Sequence, residues 1–253
     1  MAPRIGFLIG GVQKGGTSAL ASFVRQHPQV RLPRDKEAHV FDAPSFDDGW
    51  DAPAVDLCYQ AHFDADGAGA GLLHGDATPI YCFHPTLVRR IARYNPDMRW
   101  IIILRDPVDR AVSHYRMERA RGHETWPLWR AALLERWRLA GHADDFSLDS
   151  PLRRHSYLAR GDYARQLDVL FASFPRAQVL LLRNDELAAK PAQVLGQVWD
   201  FLGIPPPEVA PVFGRVFDGG HRPLPESAPV RRLLATLLRG RIRRARLRHD
   251  IHW

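Results

Sequence analysis

A lysine and four glycines lie close together in the stretch FLIGGVQKGGTSAL, residues 7–20. The common phosphate-binding consensus G-x-x-x-x-G-K-[ST], begun at Gly10, requires a lysine at position 16. Position 16 is glycine here, and the lysine lies two residues earlier, at Lys14. The stretch therefore departs from a nucleoside triphosphate site at the residue that reaches the terminal phosphates.

The glycine loop still suits a phosphate. It follows an apolar segment and runs into a predicted helix, so the backbone N–H groups of Gly15, Gly16, Thr17 and Ser18 are expected at a helix N-terminus, where anions bind. Lys14 projects from within the loop and not from its end. This favours a ligand with one 5′-phosphate and a reactive group beside it.

A second departure lies at the end of MRWIIILRD, residues 98–106. A nucleoside triphosphatase holds magnesium with an aspartate that follows a buried strand, and Arg105 holds that position here. Both departures put positive charge where a metal would be held. They count against the main alternative, a P-loop kinase that uses ATP and magnesium.

The ordered pair of motifs resembles a known family. QKGGTSAL is similar to the 5′-phosphosulfate loop of sulfotransferases that use 3′-phosphoadenosine 5′-phosphosulfate (PAPS), and LRDPVDRAVSHYRM, residues 104–117, is similar to their 3′-phosphate motif. The resemblance implies PAPS as co-substrate, 3′,5′-diphosphoadenosine as product and no metal. It implies that Arg105 and Ser113 bind the 3′-phosphate and that Lys14 stabilises charge during transfer.

The segment DKEAHVFD, residues 35–42, resembles the segment that carries the general base in glycosaminoglycan and many bacterial sulfotransferases. The resemblance implies that Glu37 is the base and that Lys36 and His39 touch the substrates. A histidine base, as in the cytosolic small-molecule branch, stays open. The candidates are His39, His74 and His84.

Two further segments carry weaker resemblances. GDATPIY, residues 75–81, is similar to a family segment that reads Glu-Lys-Thr/Ser-Pro-x-Tyr, so Asp76 is a candidate acceptor contact. Ala77 replaces the lysine of that segment, which favours a smaller or less anionic acceptor. FDGGHRPLP, residues 217–225, resembles a glycine-containing loop over the donor and makes Arg222 a candidate donor contact.

The elements that must position these residues form an α/β pattern. Apolar runs at 4–10, 98–106 and 177–183 are typical of buried parallel strands. Helical spacing follows at 17–27, 86–94, 107–121, 126–140, 156–173 and 190–203. We expect a single P-loop-like domain over residues 1–253, with a central parallel β-sheet flanked by helices.

Composition points to an anionic ligand or partner. The chain has a formal net charge of +7 and a pI of about 9.9, and a basic surface attracts anions without choosing among them. Residues 228–250 predict a basic amphipathic C-terminal helix. It is either a packed helix with a solvated arginine face or a contact for a membrane or an acidic partner. A nucleic-acid partner is not expected.

Targeting segments and cysteines bear on the compartment in which this protein is expected. We see neither a signal peptide nor an apolar run of about 20 residues that could span a bilayer, and therefore expect a cytoplasmic protein. Cys58 and Cys82 form no C-x-x-C pair and are expected to be free thiols in a reducing compartment.

The hypothesis from the sequence is a sulfotransferase that moves a sulfuryl group from PAPS to a hydroxyl, rather than an amine, of an organic acceptor. The alternatives are the kinase and a non-catalytic protein that binds nucleotides or polyanions. Variable loops, 42–75 and 120–155, are expected to form the acceptor walls.

Overall fold

The computed structural model of this chain describes residues 3–64, 71–214 and 228–253. The chain divides into two compact units. The first comprises residues 1–104 and 169–219 and contains the β-sheet. The second comprises residues 105–168 and 220–253 and is helical in its described part.

The first unit is built on a five-stranded sheet in its described residues. The strands are β1 Ile5–Gly11, β2 Val30–Arg31, β3 Leu73–Asp76, β4 Arg99–Leu104 and β5 Val179–Arg183, in the order β2-β3-β1-β4-β5. Every neighbouring pair is parallel, with Ile9 opposite Ile101 and Ile102 opposite Leu181. The predicted central parallel sheet is confirmed, although β2 and β3 were not predicted as strands.

Helices account for most of the remaining described residues. They are α1 Thr17–Val24, α2 Ala52–Gln60, α3 Pro85–Tyr94, α4 Pro107–Ala120, α5 Leu128–Leu133, α6 Glu135–Leu139, α7 Pro151–Arg154, α8 Tyr163–Ser173, α9 Asn184–Ala189, α10 Pro191–Leu202 and α11 Pro229–His249. The predicted α/β fold class, with helices flanking the sheet, is confirmed.

The sheet is buried because alternate side chains of each strand point to opposite faces. Ile101 and Ile103 of β4 pack in a core with residues of α1 and α10, including Leu20 and Val198. Trp100 points to the other face, where its ring meets that of Phe174 at 5.6 Å between centroids. Covered faces explain the continuous apolar run that predicted β4.

In the second unit α4 and α11 share a core. Asp106 caps α4 by accepting hydrogen bonds from the backbone N–H groups of Val108 (3.0 Å) and Asp109 (2.9 Å). Val108 and Val112 of α4 then pack with residues of α5 and α11, among them Leu128, Leu234 and Leu238. The apolar face predicted for the C-terminal segment is thus buried against its own unit.

Two helical predictions were too long. Residues 126–140 form α5 and α6, which are separated at Leu134. The carboxylate of Glu135 accepts hydrogen bonds from the backbone N–H groups of Leu158 (2.5 Å) and Ala159 (2.7 Å). The predicted helix 156–173 begins at Tyr163, after a 3₁₀ turn at Ala159–Gly161.

Three further expectations have outcomes. Cys58 and Cys82 are free, as predicted, although Cys58 is only half-buried. The segment 42–75, predicted as loop, contains α2. Within the described ranges, each helix is too short or too polar to cross a membrane.

Candidate active site

The glycine loop connects β1 to α1 through residues 12–16 and is held by backbone hydrogen bonds. Val12 N–H donates to the carbonyl oxygen of Ile103 (3.0 Å), and Gly15 N–H donates to that of Val12 (2.8 Å). A Cβ at position 15 would collide with the carbonyl oxygen of Ile103. Gly16 has a φ of 110°, which an L side chain rarely adopts. The two glycines are therefore required by the turn itself.

The N-terminus of α1 is suited to an anion. Its first turn contains no acidic residue and, among the described residues, no side chain caps it. Unpaired N–H groups and the helix dipole favour negative charge at this end. Lys14 lies half-buried in the same loop, and Thr17 and Ser18 begin the helix.

The segment after β2 returns to this loop. In a parallel sheet the carboxyl ends of the strands meet at one edge, which is where open α/β folds bind ligands. The ammonium of Lys36 lies 3.5 Å from the hydroxyl oxygen of Thr17. The backbone N–H of Ala77, after β3, donates to the carbonyl oxygen of Lys36 (3.3 Å). The structure thus brings the predicted base segment and the predicted phosphate loop together.

Glu37 lies between two cationic side chains. Its Oε1 accepts a short hydrogen bond from Lys36, and its Oε2 lies 3.3 Å from Nε2 of His39. Burial alone would raise the pKa of Glu37, but the hydrogen bonds from His39 and Lys36 outweigh it and lower this pKa to about 2. Glu37 is a carboxylate at neutral pH, but a weakly basic one while both contacts hold.

His39 is held on its other side by Asp42. Its Nδ1 lies 2.9 Å from Oδ2 of Asp42, whose side chain is fully buried. Burial alone would lower the pKa of His39, but the hydrogen bonds to Asp42 and Glu37 outweigh it and raise this pKa to about 9. At neutral pH His39 is therefore protonated and lacks a lone pair for a substrate proton. This argues against His39 as the base.

The other two candidate histidines, His74 and His84, make contacts that stabilise the fold. His74 is 7% exposed and packs edge-on against the ring of Phe63 at 5.2 Å. His84 caps α3, because its Nδ1 accepts a hydrogen bond from the backbone N–H of Thr86 (3.3 Å). These contacts favour Glu37 over either histidine as the candidate general base.

Three residues of the site have a left-handed backbone. Lys14, Lys36 and His39 have φ values of 66°, 72° and 55°, and among the described non-glycine residues only Asp250 shares a positive φ. Such conformations typically cost about 1–3 kcal/mol and tend to cluster at functional sites. The sequence carried no signal for the two lysines, whereas histidine is among the residue types enriched in this region.

Asp76 holds the Glu37 segment in place through buried hydrogen bonds. It is fully buried, and its carboxylate accepts hydrogen bonds from the backbone N–H of Ala38 (3.2 Å) and the hydroxyls of Tyr59 (2.9 Å) and Thr78 (2.8 Å). The carboxylate of Asp76 is fully buried and is already occupied by these three donors. It positions the segment that carries Glu37, as a buried hydrogen-bonded network does.

The sequence analysis did not identify the residues that hydrogen-bond to His39 and Asp76. Asp42, Tyr59 and Thr78 were not candidates, although they orient His39 and Asp76. The spacing His39-x-x-Asp42 is the one signal that could have suggested the first pair. Tyr59 lies on α2, in a segment predicted to be loop.

The 3′-phosphate motif lies in the second unit. Arg105 directly follows β4, is half-buried, and its carbonyl oxygen accepts a hydrogen bond from the hydroxyl of Tyr163 (2.8 Å). Ser113 is half-buried on α4. Asp109 forms an ion pair with Arg231 of α11, in keeping with a structural role. Arg222 lies outside the described residues.

Comparison with known families assigns this chain to one of them. The family model described as "Sulfotransferase domain" matches residues 5–212, more than half of the chain. The chain belongs to the sulfotransferase family. The matched region contains the glycine loop, the Glu37 segment and the Arg105 motif, as the sequence resemblance predicted.

Individual relatives agree with the family assignment. Human heparan sulfate glucosamine 3-O-sulfotransferase 3B1 is 32% identical over 199 residues, which cover 78% of this chain and 45% of that protein. Mouse bifunctional heparan sulfate N-deacetylase/N-sulfotransferase 4 is 30% identical over 79% of this chain and 22% of its own length. The chain thus spans less than half the length of these sulfotransferases.

A solved structure supports the same assignment. The crystal structure of a sulfotransferase from Alicyclobacillus acidocaldarius has a TM-score of 0.77 and 28% sequence identity. The match covers 99% of this chain and 98% of that one. This sulfotransferase and the present chain therefore have nearly the same extent and the same fold.

Proposed function

We propose that this chain transfers a sulfuryl group from PAPS to a hydroxyl of an organic acceptor, with Glu37 as general base. The observation that carries the proposal is the contact between the glycine loop and the Glu37 segment at one edge of the sheet. Family membership supplies the reaction class. Donor, acceptor type and base are inferred from the residues.

The chemistry of the loop fits the phosphosulfate end of PAPS. Gly15 and Gly16 are required for the tight loop, since side chains there would meet Ile103 and Asn184, and successive backbone N–H groups in such a turn can bind an anion. The uncapped helix start and Lys14 supply donors and positive charge. Arg105 and Ser113 are assigned to the 3′-phosphate from the motif, because a guanidinium fork suits a phosphate.

In the proposed transfer the acceptor oxygen attacks sulfur. A new S–O bond forms, the bond from sulfur to the bridging oxygen breaks, and 3′,5′-diphosphoadenosine leaves. Glu37 accepts the proton of the hydroxyl, and Lys14 stabilises charge on the departing phosphate. Positioning and charge stabilisation supply most of the rate, as in phosphoryl transfer.

Lys36 contacts both the proposed base and the proposed donor loop. Its ammonium contacts both Glu37 and Thr17, so an anionic donor at the loop would compete for it. Turning Lys36 toward the donor would remove one of the hydrogen bonds that lower the pKa of Glu37. The base would then become stronger when the donor is present.

A hydroxyl acceptor is favoured over an amine. The relatives at 31–32% identity are named 3-O-sulfotransferases, while the N-sulfotransferase matches are 27–30% identical. Ala77 stands where related segments have lysine and is fully buried. The acceptor is therefore proposed to be less anionic than a heparan-type chain.

The decisive experiment uses PAPS with labelled sulfur and a panel of hydroxyl compounds, with mass spectrometry for a sulfated product. Lys14→Ala should lower turnover about a hundredfold to a thousandfold, because it removes one charge-stabilising donor. Lys190→Ala is the matched control, since Lys190 is an exposed lysine far from the loop in sequence. Binding of donor without turnover on any acceptor would favour a non-catalytic nucleotide-binding protein.

A binding experiment tests the donor separately. The 3′-phosphate should make 3′,5′-diphosphoadenosine bind tighter than 5′-AMP by on the order of tenfold to a hundredfold, since a charge-assisted contact contributes about 1.5–3 kcal/mol. Arg105→Ala should remove most of this difference, and the exposed Arg89→Ala should leave it unchanged. Equal calorimetric affinities of the wild type for both nucleotides would refute the assignment.

A further inference from the structure

Four arginines form a stripe along α11. Arg232, Arg239, Arg243 and Arg246 are all exposed, and their spacing of seven, four and three residues puts them on one face of a helix with 3.6 residues per turn. They span about 21 Å at 1.5 Å per residue. We refer to these four residues as the arginine stripe.

The stripe forms no ion pair within the described part of the chain. None of its four guanidinium groups forms an ion pair with a described residue. The other four arginines of α11 do so: Arg231 pairs with Asp109, Arg241 and Arg244 with Asp162 (3.7 and 3.0 Å), and Arg248 with Asp168. One helix therefore carries four arginines that form ion pairs and four that do not.

The orientation of α11 is held by its apolar face. Leu234 and Leu238 are fully buried against α4 and α5, so the helix cannot turn this face to another partner. The stripe lies on the side of α11 away from that core and is exposed along its length.

The second unit carries the basic charge of the whole molecule. It contains 21 arginines against 12 acidic residues, a formal charge of +9, while the first unit has a formal charge of −2. Clustered basic charge on one face attracts anionic surfaces.

The same unit exposes large apolar side chains at helical spacing. Trp129, Leu133 and Trp137 follow one another four residues apart on α5 and α6 and are 52%, 51% and 72% exposed. We refer to them as the tryptophan row. Since α5 packs against α11 through Leu128 and Leu234, Trp129 and Leu133 of the row lie on a helix that adjoins α11. Tryptophan is favoured at the boundary between headgroups and acyl chains.

We propose that the arginine stripe and the tryptophan row form a docking surface for an acidic phospholipid bilayer. Arginines attract anionic headgroups, and exposed apolar side chains add a contribution that salt does not screen. A soluble polyanion would use the stripe but gain nothing from the row. The exposed row thus favours the bilayer as the partner.

The test is sedimentation of the full chain with vesicles of phosphatidylcholine and phosphatidylglycerol, against vesicles of phosphatidylcholine alone. We expect binding to the acidic vesicles that weakens as salt is added. Each arginine near an acidic surface typically contributes about a fivefold gain, so replacing all four stripe arginines with glutamine should weaken binding on the order of several hundredfold. Equal binding to both kinds of vesicle would overturn the proposal.

The paired arginines supply a matched control. Glutamine at Arg231, Arg241, Arg244 and Arg248 removes the same formal charge from the same helix, and circular dichroism checks that both variants fold. At physiological salt the screening length is about 8 Å, so the control should bind vesicles nearly as well as the wild type. An equal loss in both variants would mean that net charge, and not the stripe, is recognised.

The tryptophan row separates a bilayer from a soluble polyanion. Trp137→Ser should weaken binding to acidic vesicles and leave elution from a heparin column unchanged. A chain that binds heparin through the stripe but does not bind acidic vesicles at the same salt would be a polyanion-binding protein. That result would replace the bilayer as the partner.

Discussion

At the scale of single residues, the site is governed by the balance of charge around Glu37. Lys36 and His39 hydrogen-bond its carboxylate, and Asp42 holds His39 from behind. The resting arrangement keeps Glu37 ionised but weakly basic, with a pKa of about 2. If Glu37 is the base, as we propose, its strength depends on whether Lys36 or His39 keeps its hydrogen bond when substrates bind.

Replacing Glu37 with glutamine keeps the shape of the side chain and removes its basicity. Loss of a general base typically costs about a hundredfold to ten-thousandfold, so turnover should fall by that order while donor affinity is retained. Turnover and calorimetric donor binding are measured together. Glu208→Gln, a substitution at an exposed residue, is the control. If Glu37→Gln keeps most of its activity, the general base is a histidine instead.

His39 should make stability depend on pH. Its pKa is raised from 6.5 to about 9 in the folded state, so the folded chain holds this proton more tightly than the unfolded chain. The stabilisation is complete below about pH 6.5 and is lost as pH rises through about 9. The stability advantage of wild type over His39→Gln should shrink across that window in thermal unfolding. An advantage that does not change between pH 6 and pH 10, by contrast, would mean that His39 is neutral in the folded chain.

At the scale of elements, α11 is fixed to its unit by a few buried leucines. Leu238 is fully buried and Leu247 is 72% exposed on the same helix. Leu238→Ala should lower the free energy of unfolding by about 2–5 kcal/mol, because it removes buried apolar contacts and leaves a cavity. Leu247→Ala should change it by less than about 0.5 kcal/mol. Denaturant unfolding of the two variants compares them, and similar losses would show that α11 is not held by this face.

At the scale of the whole molecule, we expect positive charge to take the place that a metal holds in nucleoside triphosphatases. Arg105 follows β4 where a nucleoside triphosphatase has a magnesium-binding aspartate, and Lys14 lies in the loop. Turnover with PAPS should therefore be unchanged by EDTA. A loss of activity that magnesium restores would instead support the kinase alternative, and ATP hydrolysis is assayed beside it.

Local patterns in the sequence determined much of this protein. The apolar runs of β1, β4 and β5 are long enough to be recognised alone, because a strand covered on both faces is apolar throughout. The glycine loop with Lys14 and the helix after Pro107 are equally local, since their turn and cap chemistry lies in adjacent residues. Together they predicted the fold class and the family, both of which are confirmed.

The remaining features were decided by the tertiary structure, because they depend on contacts between residues that are distant in sequence. β2 has two residues and β3 has four, and neither is a strand without the neighbours that pair with it. Asp76 could be taken for an acceptor contact until Ala38, Tyr59 and Thr78 were found to surround it. The shifted pKa values of Glu37 and His39 likewise arise from burial and from partners placed by the fold, and composition or spacing does not predict them.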